Sequence, residues 1–382
     1  MASILIGADI APTKRNEQIF IKGNLDDLVG KSLSELLMSV DYRIFNLETP
    51  LTDSASPIEK EGINLIASTS TIKGIAATMP DLLVMANNHI MDQGAEGLYN
   101  TVKTIEAAGI DYIGIGDNSA SLKKSKIIDF GNWKVGVYNC AEHEFSIASD
   151  DKPGANPYDP LVSFDELLEL KKSVDYLIVL YHGGVELYQY PSPNLQRTCR
   201  KFVDVGANLV ICQHSHCIGC EENYNNGTIV YGQGNFIFEN SKNKLWDTSI
   251  LVLIDMKGIE YIPVKHVDGR VFLAENEDKE MILSEFKKRS EQIKDPLFVD
   301  KHFREFVNVN SFKLYAGIRY SKNPFRTVLN RLTNNNYDRF LAKIAFRNDC
   351  LVRLRNYTEC ESQREVLLCN LREKSHQGGN KE

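Results

Sequence analysis

The sequence contains no apolar run of about 18 residues or more, the length that a membrane-spanning helix requires. Its first residues, MASILIGADIAPTKR, lack the charged segment and the long apolar segment of a secretory signal, and Asp9 closes their one short apolar run. Eight cysteines without such a signal are typical of reduced thiols inside the cell. We therefore expect a cytoplasmic protein without a membrane span.

The sequence also lacks the positive net charge that is typical of nucleic-acid-binding proteins. Its formal net charge is −7, so we expect no nucleic-acid partner. The charge is uneven: residues 301–382 carry 16 Lys and Arg against 8 Asp and Glu, whereas the residues before them carry 28 against 43. An acidic body followed by a basic segment indicates two units with different roles. The basic segment either exposes solvated helix faces or contacts an anionic polymer or membrane.

Short apolar runs rich in β-branched residues alternate with stretches of helical period over most of the chain. SILIGAD and YLIVLYHGG are two of the runs, and AEGLYNTVKTIEAAG is one of the helical stretches. This pattern predicts buried strands covered by helices, an α/β (α+β) fold. Because KIIDFGNWKVGVYNCA and ILVLIDMKGIEYIPVKHV are typical of hairpins, we expect mixed sheets, arranged as two sheets back to back.

The strand pattern stops after residue 275, where stretches of helical period such as DKEMILSEFKKRSEQI follow. We therefore predict a layered domain over residues 1–275 and a helical region over residues 276–374. The last residues, 375–382, are predicted to form a disordered tail.

Five of the predicted strands end in side chains that can bind a metal ion. These are Asp9, Asn46 with Glu48, Asn88 with His89, His182, and His214 with His216. Ligands bind beyond the carboxyl ends of the strands in open α/β sheets, and side chains two residues apart on an extended segment project to the same side. Imidazole, carboxylate and amide oxygen together suit Mn, Fe or Zn. The sequence therefore predicts a site for two divalent cations.

The stretch ICQHSHCIGC, residues 211–220, has two other interpretations. A closed structural zinc site needs four ligands, and the three cysteines beyond residue 300 lack the spacing of a second ligand pair. A redox dithiol at CIGC requires a strand-then-helix setting, which this stretch lacks. The three cysteines of the stretch are more typical of small buried side chains beside the site.

The order of the motifs, Asp, Asn-Leu-Glu, Asn-His, His and His-x-His, resembles that of the calcineurin-like metallophosphoesterase superfamily. More closely, FNLETPLT, ANNHIMDQG and YGQGNFIF resemble segments of the bacterial CapA family of poly-γ-glutamate capsule synthesis, and the likeness covers residues 3–270. The resemblance implies a four-layer fold, in which two packed mixed sheets carry helices outside. It also implies a metal-dependent hydrolase of capsule or surface-polymer biosynthesis, acting on a phosphoryl, carboxyl or amide group of an anionic small molecule or polymer.

The resemblance implies ligands for each of two divalent cations. Asp9 and His216 would hold the first cation. Glu48, alone or with Asn46, would stand where the superfamily has its bridging carboxylate. The second cation would be held by three side chains: Asn88, His182 and His214.

The resemblance also implies roles for residues around the cations. His89 would bind or protonate the reacting group. Asp92 would either hold His89 or cap the following helix. Glu186 would be the hydrogen-bond partner that orients the ligand His182. The loop YGQGNF would lie beside the metals through two of its residues, Gly234 and Asn235.

Three positions depart from the superfamily pattern. Ala11 stands where the superfamily has a histidine ligand, Glu48 stands where it has an aspartate, and Gln213 stands where it has a glycine. The capsule family shares the first two changes. A second hypothesis is therefore a metal-binding protein with little or no turnover, which acts by binding a polymer or a partner through the basic helical region.

Overall fold

A computed structural model describes residues 2–60, 62–239, 243–320, 324–334, 336–345, 348–359 and 371. The chain forms two compact units, Met1–Val299 and Asp300–Glu382. The predicted tail, 375–382, lies outside the described residues.

The strands of the first unit are β1 (Ser3–Ile10), β2 (Tyr42–Leu47), β3 (Leu82–Val84), β4 (Asp111–Ile113), β5 (Ile115–Gly116), β6 (Ser125–Asp129), β7 (Lys134–Ala141), β8 (Gly154–Ala155), β9 (Tyr176–His182), β10 (Leu209–Gln213), β11 (Glu221–Tyr224), β12 (Gly227–Val230), β13 (Asn235–Ile237), β14 (Thr248–Asp255), β15 (Gly258–Val267) and β16 (Arg270–Leu273). The helices of the chain are α1 (Glu17–Lys22), α2 (Leu25–Ser39), α3 (Ile72–Ala77), α4 (Gly94–Ala107), α5 (Ser163–Lys171), α6 (Pro193–Asp204), α7 (Asn276–Gln292), α8 (Phe298–Tyr320), α9 (Pro324–Leu332), α10 (Asn336–Ala345) and α11 (Asn348–Glu359).

The strands form two large mixed sheets and one small ribbon. The first sheet has the order β16-β15-β14-β1-β2-β3-β4, with β13 also paired to β1, and the second has the order β11-β12-β10-β9-β7-β6. The ribbon consists of β5 and β8. Both predicted hairpins are confirmed, because β6 pairs antiparallel with β7 and β14 pairs antiparallel with β15.

Alternation along the strands produces the layers. Ile4 and Ile6 of β1 share one apolar cluster with Ile178 of β9, so the two sheets pack face to face. Leu5 points the other way and packs in a cluster with residues of α1–α4. On the far side of the second sheet, Val179 packs with residues of α5 and α6. Helices therefore cover both outer faces, which confirms the predicted four-layer α/β arrangement.

The parallel strands place the candidate residues at one edge of each sheet. β1, β2 and β3 are parallel neighbours, and Asp9 lies opposite Asn46 in their register. β7, β9 and β10 are also parallel neighbours, and His182 lies opposite Gln213. The loops that follow these strands therefore leave each sheet on the same side.

Helix α7 belongs to the first unit, although the sequence places it in the C-terminal helical region. Ile282 and Phe286 of α7 join the apolar cluster between the sheets. Arg289 is buried, and its Nε donates to the backbone oxygen of Gly219 at 2.7 Å. The strand pattern ends at residue 275, but the compact unit continues to Val299 because α7 packs on the sheet edge. None of the helices within the described ranges is long and apolar enough to cross a membrane.

Candidate metal centre

Two groups of buried side chains meet where the strand ends of the two sheets approach each other. One group is Asp9, Glu48 and His216, and the other is Glu48, His182 and His214. Within each group the donor atoms lie within 4.8 Å of one another. All five residues are at least 95 % buried. Glu48 belongs to both groups, so side chains from three other segments converge on its carboxyl group.

A chain of amides orients the carboxylate of Asp9. The Nδ2 of Asn46 donates to Asp9 Oδ1 at 2.7 Å. The Nδ2 of Asn87 donates in turn to Asn46 Oδ1 at 3.1 Å and to the backbone oxygen of Leu47 at 2.8 Å. In the described part of the chain the second carboxylate oxygen of Asp9, Oδ2, has no hydrogen-bond partner. Asn46 therefore orients Asp9 through one carboxylate oxygen, and the other oxygen of Asp9 is available to a cation.

His182 faces both groups of ligand candidates. Its Nε2 lies 3.0 Å from Asn88 Oδ1 and 3.5 Å from Glu48 Oε1. Its Nδ1 lies 3.5 Å from Asn46 Nδ2. Glu186, expected to support His182, is exposed, and both ring nitrogens of His182 face other groups. The support of His182 by Glu186 stays a prediction, and the charge of Glu186 does reach the centre, where it acts to raise the pKa values of Glu48 and His216.

The His-x-His segment has an unusual backbone. His214 and His216 adopt φ values of 92° and 52°, in the region that favours glycine. Asn235 Oδ1 lies 2.8 Å from His216 Nδ1, and His216 Nε2 lies 3.8 Å from Glu48 Oε1. Gly234, before Asn235, has a φ of 79°, and a Cβ at this position would lie 2.7 Å from Ser249 Cβ. The YGQGNF loop thus requires glycine in order to bring Asn235 against His216.

His89 is held by two residues, one of which the sequence did not identify. Its Nδ1 lies 2.5 Å from Asp92 Oδ2, and the other oxygen of Asp92 pairs with Lys60 Nζ. The Lys60 side chain is 3 % exposed and the Asp92 side chain is 0 % exposed. Asp92 does not cap the next helix, because Gln93 is the N-cap of α4. Lys60 Nζ also lies 3.2 Å from His89 Nδ1. No pattern in the sequence pointed to Lys60, since it lies in the polar loop between β2 and α3.

Glu142 and Glu144 were also missed. Glu142 Oε1 lies 3.6 Å from His214 Nε2, and Glu144 Oε1 lies 3.9 Å from the same nitrogen. Both residues follow β7, which the sequence indicated only as half of a hairpin. Because β7 also pairs in parallel with β9, its last residue, Ala141, lies opposite His182. Applying the strand-end rule to β7 would have identified Glu142.

The electrostatics of the centre differ between its side chains. Burial acts to lower the pKa of His216, but the neighbouring Asp9 carboxylate outweighs it and raises this pKa. Burial, followed by the charge of Asp9, raises the pKa of Glu48 well above its usual value. Burial also acts to raise the pKa of Asp9, but the neighbouring imidazole of His216, the charge of His182 and the hydrogen bond from Asn46 outweigh it and lower this pKa.

Burial lowers the pKa of His182 to about 3. Burial, followed by the charges of three imidazoles (His182, His216 and His89), lowers the pKa of His214 well below its usual value.

The unsatisfied atoms at the centre fit a divalent cation. Among the described residues, neither oxygen of Glu48 has a hydrogen-bond partner, and the same holds for Nδ1 of His214. Buried charges are normally paired or bound to a metal. Ligand atoms about 2.1 Å from one cation lie roughly 3.0–3.4 Å from each other, and the measured separations at His182 are 3.0 Å and 3.5 Å. Carboxylate and imidazole donors suit Mn, Fe or Zn.

The cysteines of ICQHSHCIGC lie beside the centre as buried free thiols. Cys212, Cys217 and Cys220 are each at least 98 % buried. Burial raises the pKa of Cys217 to about 12, so its thiol is protonated at neutral pH, whereas metals bind the thiolate. This confirms the interpretation of these cysteines as small packing residues. At Ala11, where the superfamily has a histidine, an apolar cluster with Phe238 and Trp246 packs instead.

The chain is similar to known proteins of bacterial capsule synthesis. The profile of the family described as bacterial capsule synthesis protein PGA_cap matches residues 3–240. The capsule biosynthesis protein CapA of Bacillus anthracis is 28 % identical over 234 residues, which are 59 % of this chain and 57 % of that protein. The PGA biosynthesis protein CapA of Bacillus subtilis (strain 168) is 26 % identical over 231 residues, which are 59 % of this chain and 60 % of that protein. The match therefore spans less than two thirds of these relatives.

Among solved structures, a phosphatase from Mycoplasma pneumoniae is similar, with a TM-score of 0.42, 14 % identity, and coverage of 69 % of this chain and 93 % of that one. The family profile covers more than half of the present chain, and its matched segment includes every candidate ligand from Asp9 to His216. The chain therefore belongs to the bacterial capsule synthesis protein family PGA_cap, which is linked to capsule biosynthesis.

Proposed function

We propose that the protein is a metal-dependent hydrolase of capsule or surface-polymer biosynthesis, with Glu48 as the bridge between two divalent cations. The observation that supports this most is that two groups of buried donors share Glu48, whose two oxygens lack hydrogen-bond partners among the described residues. Asp9 and His216 would hold the first cation. The second would be held by three side chains: Asn88, His182 and His214.

Divalent cations at this position supply Lewis acidity, which polarises a phosphoryl, carboxyl or amide group and acidifies water. The chain itself orients the donors. Asn46 fixes the Asp9 carboxylate, and Asn235 fixes the imidazole of His216. Because burial lowers the pKa of His182 to about 3, its imidazole is neutral at pH 7 and can donate a lone pair.

His89 is proposed as the group that donates a proton to the leaving group or stabilises developing negative charge. Asp92 engages Nδ1 of His89, so Nε2 is the ring nitrogen that can face a substrate. Lys60 pairs with the second oxygen of Asp92 and restrains the carboxylate. This arrangement fixes the imidazole through one nitrogen and leaves the other for chemistry.

The proposed substrate is an anionic small molecule or polymer that carries a phosphoryl, carboxyl or amide group. The test is to measure bound Mn, Fe and Zn in the purified protein, and then the hydrolysis of a phosphate ester and of a γ-glutamyl peptide with and without added metal. We expect turnover that depends on metal, and we expect Asp9→Ala to lose both metal and turnover. Full activity of the metal-free protein would overturn the proposal.

A second candidate function is a metal-binding protein that engages an anionic polymer without turnover. The observation that favours it is the basic segment, in which residues 301–382 carry 16 Lys and Arg against 8 Asp and Glu. Arg331 and Arg353 are exposed there. If metal is stoichiometric but both hydrolysis assays are silent, binding to poly-γ-glutamate is measured at two salt concentrations. Under this function, charge reversal of Arg331 and Arg353 to Glu weakens binding and reduces its salt dependence.

A further inference from the structure

The two ring nitrogens of His214 face different neighbours. Nε2 faces two carboxylates, with 3.6 Å to Glu142 Oε1 and 3.9 Å to Glu144 Oε1. Nδ1 is buried and has no hydrogen-bond partner within the described ranges. The imidazole is also grouped with Glu48 and His182 in one of the two donor groups. One side chain therefore lies between a proposed cation site and a pair of acidic residues outside it.

The chemistry of imidazole decides between these neighbours. A neutral imidazole carries one N–H and one lone pair, so it binds a single cation. Burial raises the pKa of Glu142 to about 7, so above that pH its ionised carboxylate only accepts hydrogen bonds, and the nitrogen of His214 that faces it gains from carrying the proton. With the proton on Nε2, the lone pair of His214 is on Nδ1, the buried nitrogen without a partner.

We propose that Glu142 is a positioning residue of the metal centre: it accepts the Nε2–H of His214 and thereby directs the Nδ1 lone pair to the cation shared with Glu48 and His182. The inference rests on the proposed function and adds a residue to its site. A partner on the second nitrogen of a ligating histidine fixes its tautomer and orientation.

Glu142 is better placed for this role than Glu144. Its backbone N–H donates to the oxygen of His182 at 3.0 Å, and its Oε2 accepts from the N–H of Gly184 at 3.3 Å. These two bonds tie Glu142 to the end of β9. The 3.6 Å between Glu142 and His214 exceeds a normal N–H···O distance by about 0.7 Å. The Glu142 side chain is 35 % exposed, and such a side chain has the freedom to close this gap.

The alternative is a further cation held directly by Glu142, Glu144 and His214, whose donor atoms lie within 4.8 Å of one another. That arrangement would use the lone pair of Nε2 and would leave Nδ1 protonated. The two alternatives therefore predict opposite tautomers of His214.

The first measurement uses the metal-free wild-type protein at pH 8, so it does not depend on turnover, and a variant is needed only to assign the signals. Long-range ¹H–¹⁵N spectra of histidine-labelled protein, assigned with His214→Gln, report which nitrogen carries the proton. We expect the Nε2–H form of His214. The Nδ1–H form would overturn the proposal.

The second measurement is the affinity for Mn²⁺ at pH 8, where Glu142 is ionised. We expect Glu142→Ala to weaken the binding of one of the two cations by about 10–100-fold, as for other residues that hold ligating histidines. Glu142→Gln retains an acceptor oxygen, so it should keep the affinity, and Glu144→Gln serves as the matched control. Unchanged affinity in Glu142→Ala overturns the proposal, and so does an equal loss in Glu142→Gln and Glu142→Ala. An Nε2–H tautomer with tight Mn²⁺ but no hydrolysis supports this inference and contradicts only the hydrolase.

Discussion

Glu48 and His182 meet inside the protein with 3.5 Å between Oε1 and Nε2, and their side chains are 0 % and 1 % exposed. Glu48 follows β2 of the first sheet, whereas His182 ends β9 of the second. The candidate metal centre therefore joins the two sheets, and a cation there would tie their edges together. The consequences for stability and chemistry can be separated by substitution.

Glu48→Gln should stabilise the metal-free protein and weaken its response to metal. The raised pKa of Glu48 means that the folded state keeps a proton which the unfolded state releases above its ordinary value of 4.5, so this residue costs more stability as the pH rises. A neutral amide of the same shape removes that cost. We expect a gain of about 1–3 kcal/mol at pH 8 and a smaller gain at pH 5, measured by urea unfolding in EDTA.

The same variant should gain less than wild type when Mn²⁺ is added, because an amide is a poorer bridging ligand than a carboxylate. Equal stability of the metal-free variant and wild type at both pH values would contradict a Glu48 carboxyl group that is buried without a partner.

His89→Gln should separate chemistry from metal binding. His89 is held by Asp92 and belongs to neither donor group, so we expect full metal content and a turnover that is lower by about 10²–10⁴-fold. Metal content by mass spectrometry and steady-state kinetics measure the two effects. His302→Gln, in the second unit, is the control. If His89→Gln instead loses metal and keeps its residual turnover per bound ion, His89 is a ligand and not the proton donor.

Lys60→Met should destabilise the protein by about 3–5 kcal/mol, because it leaves the buried Asp92 carboxylate without its ammonium partner. Turnover should fall as well, since Asp92 orients His89. The double variant Lys60→Met with Asp92→Asn should recover much of the stability but not the turnover. A single variant as stable as wild type in urea unfolding would show that the pair is not buried.

His266→Gln should flatten the loss of stability in acid. Burial lowers the pKa of His266 from 6.5 to about 4, so below pH 6.5 the unfolded state binds a proton that the folded state does not. The contribution of His266 to the free energy of unfolding is therefore largest above pH 6.5. It falls by about 1.4 kcal/mol per pH unit between pH 6.5 and 4. Urea unfolding of both proteins in EDTA at pH 7 and pH 5 measures the difference. If the free energy of unfolding falls equally in the two proteins between pH 7 and pH 5, a group other than His266 takes up the proton.

The strands were predictable because buried strands carry runs of apolar residues in the sequence. The alternation of Ile4, Leu5 and Ile6 between two apolar clusters is the pattern that predicts a strand covered on both faces. The polar residues at the strand ends were predictable for the same reason, since parallel strands bring their carboxyl ends to one edge. The predicted boundary at residue 275 leaves α7 outside the first unit, because it was set where the strand pattern stops and α7 is a helix.

The contacts around the ligand candidates were less predictable, because they depend on loops. Lys60 reaches Asp92 across a polar loop, and no local pattern fixes the path of such a loop. Glu186 lies four residues after His182 on an exposed loop, and its charge acts on Glu48 and His216. Glu142 shows the limit of local interpretation, since a strand in a hairpin can have a parallel neighbour on its other side.

Anomalous scattering from crystals grown with Mn²⁺ tests the central claim most directly. The account predicts two peaks on either side of the Glu48 carboxylate, one also in contact with Asp9 and His216 and the other also in contact with His182 and His214. A well-ordered Glu48 without any peak, or peaks bound only elsewhere on the protein, would contradict it.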